Sequence, residues 1–549
     1  MGKRKWIKKR GVGNTITDRI LSVRGIKDKE LFLNGRISDL HDISLFKDGL
    51  KAVSLLKDAI DKKKKICIYS DYDTDGACGA SVAYMMLKEL GADVIYYTNN
   101  RFLQGYGMCI SGLDEILKFS PDIEVIYTID NGIAAFDAAK YIKDLGLTLI
   151  ITDHHKASDE LPLADAIVNP KRKDSTYPFD GICGAVVSWK VLRELYANKN
   201  DANKYLDILA IATVGDVVPL IDENRIIVKE GLKLLRNDSR LSLKMLREMT
   251  NASEINSHFT LGFIYSPIFN AISRLDGNID IVIEMLTSED KESIERAITI
   301  LINTNEERKA LTKTQVEIAE EQLEKKGIRE VIVLYNERFY EGIVGLIAGR
   351  LKEKYNRPTI ILTKDEEGNV KGSCRSIEGF DIKENLDKCS DLLLGYGGHA
   401  LAAGLSLERK NVDAFEKKII SIAKDILTED DFIKKFYYVE TLKERDITKS
   451  LVEELSELEP YGEGFPKPLL KLEEFNVRRC FNMGKEKEHV KLLGNNNLSL
   501  IAWRMAKDYE NKGCPLKVTA LGSPEINVYK NNVNLQFVID DDNYFGTPN

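Results

Sequence analysis

The chain has 549 residues, a formal net charge of −7 and eight cysteines. Its 43% hydrophobic and 30% charged residues are ordinary globular chemistry, which excludes wholesale disorder and collagen-like repetition; the length suits about three to five domains. No apolar run approaches the roughly 18–20 residues that span a bilayer, and the densest, 343–349, ends at Arg350. The basic opening MGKRKWIKKR lacks the apolar core of a secretory signal, and Trp6 breaks a myristoylation pattern; a solvated tail is expected, with contact to DNA as the alternative. The scattered cysteines form no CxxC pair, which argues against a zinc ribbon or disulfide scaffold and for a reducing cytoplasm. Mild acidity disfavours a wholly basic nucleic-acid coat, although it hides any local positive groove in the sum.

From about residue 62 the chain alternates short apolar runs with helical spacing. Strands are expected at 66–70, 93–98, 123–129, 148–152 and 166–168, with helices over 77–90 and 134–145 between them. Such alternation implies βαβ crossovers and a mainly parallel sheet, with ligands beyond the carboxyl ends of its strands. A helix-rich stretch follows and ends in one long helical pattern over about 288–326, which Ser288 caps and whose later half is polar, as suits a connector. A second α/β pattern opens at 331–334 and continues through a helix at 343–351 and a strand at 359–362 to about residue 424. The last stretch has short β-like runs at 469–472, 490–493, 498–502, 516–520 and 535–539, which suggest a small barrel or sandwich. The expected division is 1–45 as an extension, 46–220 as the first α/β domain, 221–327 as helical region and connector, 328–430 as the second α/β domain and 431–549 as a β domain.

The chemistry gathers at the strand ends. The first strand runs into Asp71-Tyr72-Asp73-Thr74-Asp75-Gly76, where alternate positions of an extended chain point three carboxylates to one side and Gly76 allows a tight turn. The 123–129 strand ends in Asp130-Asn131-Gly132, the 148–152 strand in Asp153-His154-His155, and an apolar helical run delivers Gly215-Asp216. Any one of these aspartates is as readily a helix cap. Several together, with two of the six histidines, are what a pair of divalent ions needs to hold a water and a phosphoryl oxygen.

The blocks SDYDTDG, TIDNG, TDHH and ATVGDVVPL resemble, in order and spacing, the four motifs of the DHH phosphoesterase superfamily. Gly372-Ser373-Cys374-Arg375-Ser376 and Gly397-Gly398-His399-Ala400 resemble its companion DHHA1 domain. Within the superfamily the chain is most similar to the RecJ family of single-strand-specific exonucleases, through Asn100-Arg101-Phe102, Gly105-Tyr106-Gly107, Asn270-Ala271, Arg274-Leu275 and the run from Leu458 to Gly464. The resemblance spans nearly the whole chain. It implies an α/β fold with a DHH domain, a connector helix, a smaller α/β DHHA1 domain and an OB-like β-barrel. It implies two Mn²⁺ or Mg²⁺ ions held by Asp73, Asp75, Asp130, His154 and Asp216, with Asp130 bridging and Asp71 supporting or ligating. His155 would face the scissile phosphate, with Asp130, His154 and His155 as the catalytic group and Asp153 orienting the histidines. Arg101, Asn270, Arg274, Ser373, Arg375 and His399 match positions around the substrate. The implied reaction is 5′→3′ release of 5′-mononucleotides from single-stranded DNA, in DNA repair and recombination, by a cytoplasmic monomer with no membrane association, acting with single-strand-binding protein or a helicase. Departures from the family pattern are Phe339-Tyr340-Glu341-Gly342 where a Trp-His pair is usual, Ser273 before Arg274, and Phe465 after Gly464.

In the OB-like region, residues 465–530 carry 12 Lys/Arg against 7 Asp/Glu. Arg478, Arg479, Lys491 and Arg504 interleave with Phe475, Phe481 and Trp503, the pairing of cations and aromatics that sequence-tolerant strand binding uses; barrel core is the plainer account of each aromatic. Two other readings stand beside the exonuclease. One is a DHH phosphoesterase for short oligonucleotides or small phosphate esters, which the length and the β domain oppose. The other is a non-catalytic DNA-binding scaffold, which the complete carboxylate set opposes.

Overall fold

The computed structural model describes residues 4–237, 240–252, 257–365, 368–495, 498–529 and 532–540. Residues 1–3 of the basic opening, Lys530 and residues 541–549 lie outside that set. The chain forms two compact units. One is Glu30–Ala310 with Pro460–Pro466; the other holds the N-terminal segment through Lys29, then Leu311–Glu459, and the chain from Lys467 onward.

The first unit is built on a parallel sheet in the order Asp93–Thr98, Lys65–Ser70, Ile123–Ile129, Thr148–Thr152, Ala166–Val168. Its strands are continuous apolar runs because both faces are covered. Ile66 and Ile68 enter one core with Val125, Tyr127 and Ile150, while Cys67 and Tyr69 enter another with Ile126, Leu149 and Ile151. The strand order reverses between Lys65–Ser70 and Ile123–Ile129, which opens a crevice at their carboxyl ends. The helix Leu206–Gly215 is buried from Leu206 to Thr213, as a helix apolar on all sides must be. Arg225 is buried too. Its guanidinium sits 3.9 Å from the Phe32 ring centroid and donates to the carbonyls of Phe32 at 2.7 Å and Pro460 at 3.0 Å. Phe465, which departs from the family pattern, packs on Phe32 at 4.6 Å in this cage.

The second unit contains two sheets. One is mixed, in the order Gly395–His399, Ala402–Leu407, Val370–Arg375, Thr359–Lys364, Ile332–Tyr335. The other has eight strands in the order Arg4–Lys8, Lys434–Leu442, Leu469–Asn476, Lys517–Tyr529, Asn532–Ile539, Ser499–Ala502, His489–Leu493, Arg479–Met483. The basic opening is therefore not a solvated tail. Residues Arg4–Lys8 pair in parallel with Lys434–Tyr438, and Glu440 ion-pairs both Lys8 of this strand and Arg19 of the helix Ile16–Val23, each at 3.0 Å.

Two smaller expectations also change. The long helix is Lys291–Lys326, and its first turn is capped by Asp290, whose carboxylate accepts from Ser293 N at 2.8 Å; Ser288 instead accepts from Asp290 N at 3.1 Å. Gly76 makes no tight turn, because it already lies inside the helix Thr74–Glu89. It is glycine because a β-carbon would stand 2.4 Å from the Asp71 carbonyl oxygen.

Candidate active site

The carboxylates arrive at the crevice from four directions. Asp71 follows the strand Lys65–Ser70, and Asp73 and Asp75 straddle the start of the helix Thr74–Glu89, so the alternation expected of an extended chain becomes a helix entry. Asp73 does cap that helix, its Oδ1 accepting from Gly76 N at 3.1 Å, and its other oxygen is left for the site. Asp130 follows the strand Ile123–Ile129 with φ of 63°, a left-handed conformation that costs a non-glycine residue about 1–3 kcal/mol and is typical of functional positions. Asp216 is the C-cap of the helix Leu206–Gly215.

Their donor atoms converge. Asp75, His154 and Asp216 offer atoms within 4.8 Å of one another, and so do Asp71, Asp73 and Asp130, and Asp130, His154 and His155. His154 Nε2 joins the sets, at 3.1 Å from Asp130, 3.5 Å from Asp216 and 4.0 Å from Asp75. Asp71 Oδ1, Asp130 Oδ1, Asp216 Oδ2 and both His154 ring nitrogens are buried without a hydrogen-bond partner. Unsatisfied buried acceptors are costly, and several aimed at one another are the signature of a cation site. Burial, then the neighbouring carboxylates, push Asp71, Asp130 and Asp216 well above the ordinary carboxylate range. Burial raises Asp75 as well, although His154 opposes it. Burial lowers His154 to about 4, so it is the neutral imidazole a metal requires. Oxygen-rich, thiol-free and crowded with like charge, these residues fit two hard divalent ions.

Asp153 is fully buried behind the cluster and works as a staple. Its carboxylate accepts from Ile133 N at 2.9 Å, His154 N at 2.7 Å, His155 N at 3.0 Å and His155 Nδ1 at 2.8 Å. Burial draws the His155 imidazole down, but this hydrogen bond and charge outweigh it and leave His155 above its ordinary value. The Tyr106 hydroxyl lies 2.9 Å from His155 Nδ1.

Two groups in this unit were not foreseen from sequence. Gly184 and Ala185 open the helix Gly184–Arg193, and their N–H groups clamp the Asp75 carboxylate at 2.6 and 3.1 Å. Only glycine fits at 184, since a β-carbon there would stand 2.6 Å from the Asp130 Cα. The available signal was a Gly-Ala pair at the start of an apolar helix. Tyr106 lay in a segment noted for its likeness alone, with no role attached.

Of the expected substrate residues, Asn270 lies beside the cluster but faces the protein: its Oδ1 accepts from Thr74 N at 3.0 Å, bracing the turn between Asp73 and Asp75. Arg101 lies over the Tyr72 ring at 5.3 Å. Arg101 and Arg274 both act electrostatically on Tyr72, between Asp71 and Asp73. Ser273, a departure from the family pattern, is buried and donates to the Asn270 carbonyl at 3.4 Å.

In the second unit Ser373, Arg375 and His399 share one face of the mixed sheet. Ala402 pairs with both His399 and Arg375, and Gly404 pairs with both Gly397 and Ser373. The glycines keep that face bare between the three side chains, and Arg375 donates to Ser373 Oγ at 3.0 Å. Gly345, in the first turn of the helix Val344–Tyr355, lets Ser373 and Arg375 lie against that helix. Gly398 sits within the strand Gly395–His399, where a β-carbon would strike Ala402 O at 2.4 Å. Phe339, in place of the usual Trp-His pair, is core.

In the eight-stranded sheet, Phe475 is core, whereas Phe481 and Trp503 are exposed. Phe481 is paired directly with Lys491, and Trp503 meets His489 edge-on at 4.9 Å. Arg478, Arg479 and Arg504 are exposed as well, so the basic and aromatic side chains share accessible surface.

The family model described as the DHH family, N-terminal domain, matches residues 65–213; the DHHA1 domain matches 328–425 and the RecJ OB domain 440–541. The chain is 35% identical to the single-stranded-DNA-specific exonuclease RecJ of Bacillus subtilis, covering 95% of this chain and 67% of that protein. It is 30% identical to the protein of the same name from Haemophilus influenzae, covering 98% and 99%. Its fold matches the crystal structure of RecJ in complex with Mn²⁺ from Thermus thermophilus with a TM-score of 0.84 over 98% of this chain and 79% of that one, at 24% identity. The three domains in order, the carboxylate–histidine cluster and full-length identity to relatives of one name agree: the chain belongs to the RecJ family of single-stranded-DNA-specific exonucleases.

Proposed function

We propose that this protein is a metal-dependent exonuclease that degrades single-stranded DNA from its 5′ end to 5′-mononucleotides. The observation that carries the reading is the buried, unpaired set of Asp71, Asp130, His154 and Asp216 atoms at the strand-order reversal, in a chain of this family. Asp73, Asp75, Asp130, His154 and Asp216 would hold two Mn²⁺ or Mg²⁺ ions, with Asp71 in support. When bound, the ions supply charge neutralisation at phosphorus and acidify water.

The chain's own residues do the rest. Asp153 fixes both histidines by their backbone, and its hydrogen bond to His155 favours the protonated imidazole, the form that donates to a phosphoryl oxygen. The N–H pair of Gly184 and Ala185 holds Asp75 in one orientation. Arg101, Arg274, Ser373, Arg375 and His399 bind substrate phosphates, for which the planar guanidinium is well shaped. Arg478, Arg479, Lys491, Trp503 and Arg504 grip the single strand. At the finer level the reading is of a cytoplasmic monomer that serves DNA repair and recombination alongside a single-strand-binding protein or helicase. No helix among the described residues is long and apolar enough to cross a membrane.

The test uses the protein and its Asp130→Ala variant with Mn²⁺ on end-labelled single-stranded, duplex and dinucleotide substrates. Mononucleotide release from the 5′ end of the single strand, abolished by chelation and in the variant, is expected. Turnover of the dinucleotide alone, or no metal-dependent release, overturns the reading.

A further inference from the structure

Residues 258–275 form one helical run that contains a wide turn, Thr260–Tyr265, with i→i+5 spacing. Pro267 explains the wide turn: it has no N–H for the Phe263 carbonyl, and its ring crowds that oxygen. Turns of this kind recur at functional sites. This run carries Asn270 and Arg274, already placed beside Asp71, Asp73 and Thr74. Gly262 and Ser266, one turn apart, lie against the helix that delivers Asp216: a β-carbon on Gly262 would meet Val214 at 3.1 Å, and one on Gly215 would meet Ser266 Oγ at 3.1 Å.

Two phenylalanines, Phe259 and Phe263, lie at the N-terminal end of the same run. Phe259 and Phe263 are 52% and 70% exposed, with ring centroids 4.8 Å apart and planes 19° from parallel. Val217, directly after Asp216, is exposed as well. The neighbours Thr260, Leu261 and Tyr265 are buried, so the two rings are turned outward on a helix that has a core side to use. Two accessible aromatic rings, on the run that also carries Arg274, offer the kind of flat face on which a nucleobase stacks.

We infer that Phe259 and Phe263 form a stacking platform for nucleobases of the single strand, on the Asp216 side of the metal cluster. The platform rests on the exonuclease reading above and adds to it a base-dependent hold near the site. Each cleavage step moves every base by one place, so a sequence-tolerant stack holds the strand without arresting it. A surface for a protein partner would leave binding of naked DNA unchanged.

The experiment measures single-turnover and steady-state hydrolysis of single strands in which one abasic nucleotide is moved stepwise along the chain. The wild-type protein is compared with the Phe259→Ala/Phe263→Ala variant and with Phe263→Trp. In the wild type, base removal at one or two adjacent positions raises KM about tenfold; the double variant has that raised KM on intact DNA and no remaining sensitivity there, and Phe263→Trp, which enlarges the stacking face, lowers KM on intact DNA and keeps the sensitivity. Identical abasic profiles in wild type and double variant, with equal KM, overturn the platform while leaving the exonuclease reading intact. Wild-type protein that leaves every single strand uncut overturns the exonuclease reading itself. Phe263→Trp keeps the test valid should the double variant fold poorly.

Discussion

Gly184→Ala places one methyl group between two metal-cluster elements, and its effect follows from distances. The new carbon would stand 2.6 Å from both Cα and Cβ of Asp130 and 2.8 Å from its Oδ1. Carbon atoms rest at about 3.5 Å or more, so Asp130 and the helix Gly184–Arg193 must part by about 1 Å. Neither partner yields easily, because Asp130 is held in a left-handed conformation and its N–H donates to the Thr152 carbonyl at 3.0 Å. The same shift draws the Gly184 N–H away from Asp75. A 1 Å misplacement at reacting groups costs on the order of 100-fold, or ~2.7 kcal/mol of transition-state stabilisation. Overpacking of this kind costs about 1–3 kcal/mol of stability, so the variant folds with a lowered Tm. Steady-state mononucleotide release in Mn²⁺ gives the rate, calorimetric titration gives Mn²⁺ affinity, and both are expected to fall. Gly349→Ala is the control: a β-carbon there has nothing within 4 Å, and alanine in a helix gains about 0.5–1 kcal/mol. A Gly184→Ala enzyme within about threefold of wild type in kcat/KM refutes the clamp.

Asn270→Ala leaves Thr74 N–H without its acceptor, a loss of about 1–3 kcal/mol, and lowers kcat about tenfold with KM kept. A raised KM with kcat kept makes Asn270 a substrate contact instead, and refutes its bracing role. Glu440→Gln releases the N-terminal strand, measured as faster hydrogen exchange over Arg4–Lys8 than in wild type. Burial raises Glu440, but the Thr441 N–H, Lys8 and Arg19 outweigh it and hold it below its ordinary value. Its contribution is therefore present above about pH 4.5 and lost as pH falls below it, and is about 0.5–1 kcal/mol for so accessible a pair. Exchange over Arg4–Lys8 that is the same in variant and wild type at neutral pH refutes it.

The carboxylate–histidine cluster was legible because its residues sit where chain logic is local. Asp71, Asp130 and Asp153 each follow a strand whose apolar run marks it as buried, and the order of those runs implies a crevice at their ends. Gly184 was opaque because its meaning lies in Asp130, 54 positions earlier. The hydrogen bond from Thr74 N to Asn270 could not be read from sequence, which does not say whether a polar side chain faces substrate or backbone. The face shared by Ser373, Arg375 and His399 depends on register across three strands, which no run of residues displays. The strand Arg4–Lys8 was missed because five residues rich in charge look like a tail until a partner is found.

That strand also has a history in time. Arg4–Lys8 leaves the ribosome well before its partner, and Lys434–Tyr438 is made some 430 residues later. At about 5–20 residues per second the wait is on the order of 20–90 s. Throughout it the segment is an unpaired β-former, and Arg4, Lys5, Lys8, Lys9 and Arg10 are the residues that make it a poor template for other nascent chains. The positive charge of this segment thus guards a strand until its partner, some 430 residues on, arrives to pair with it.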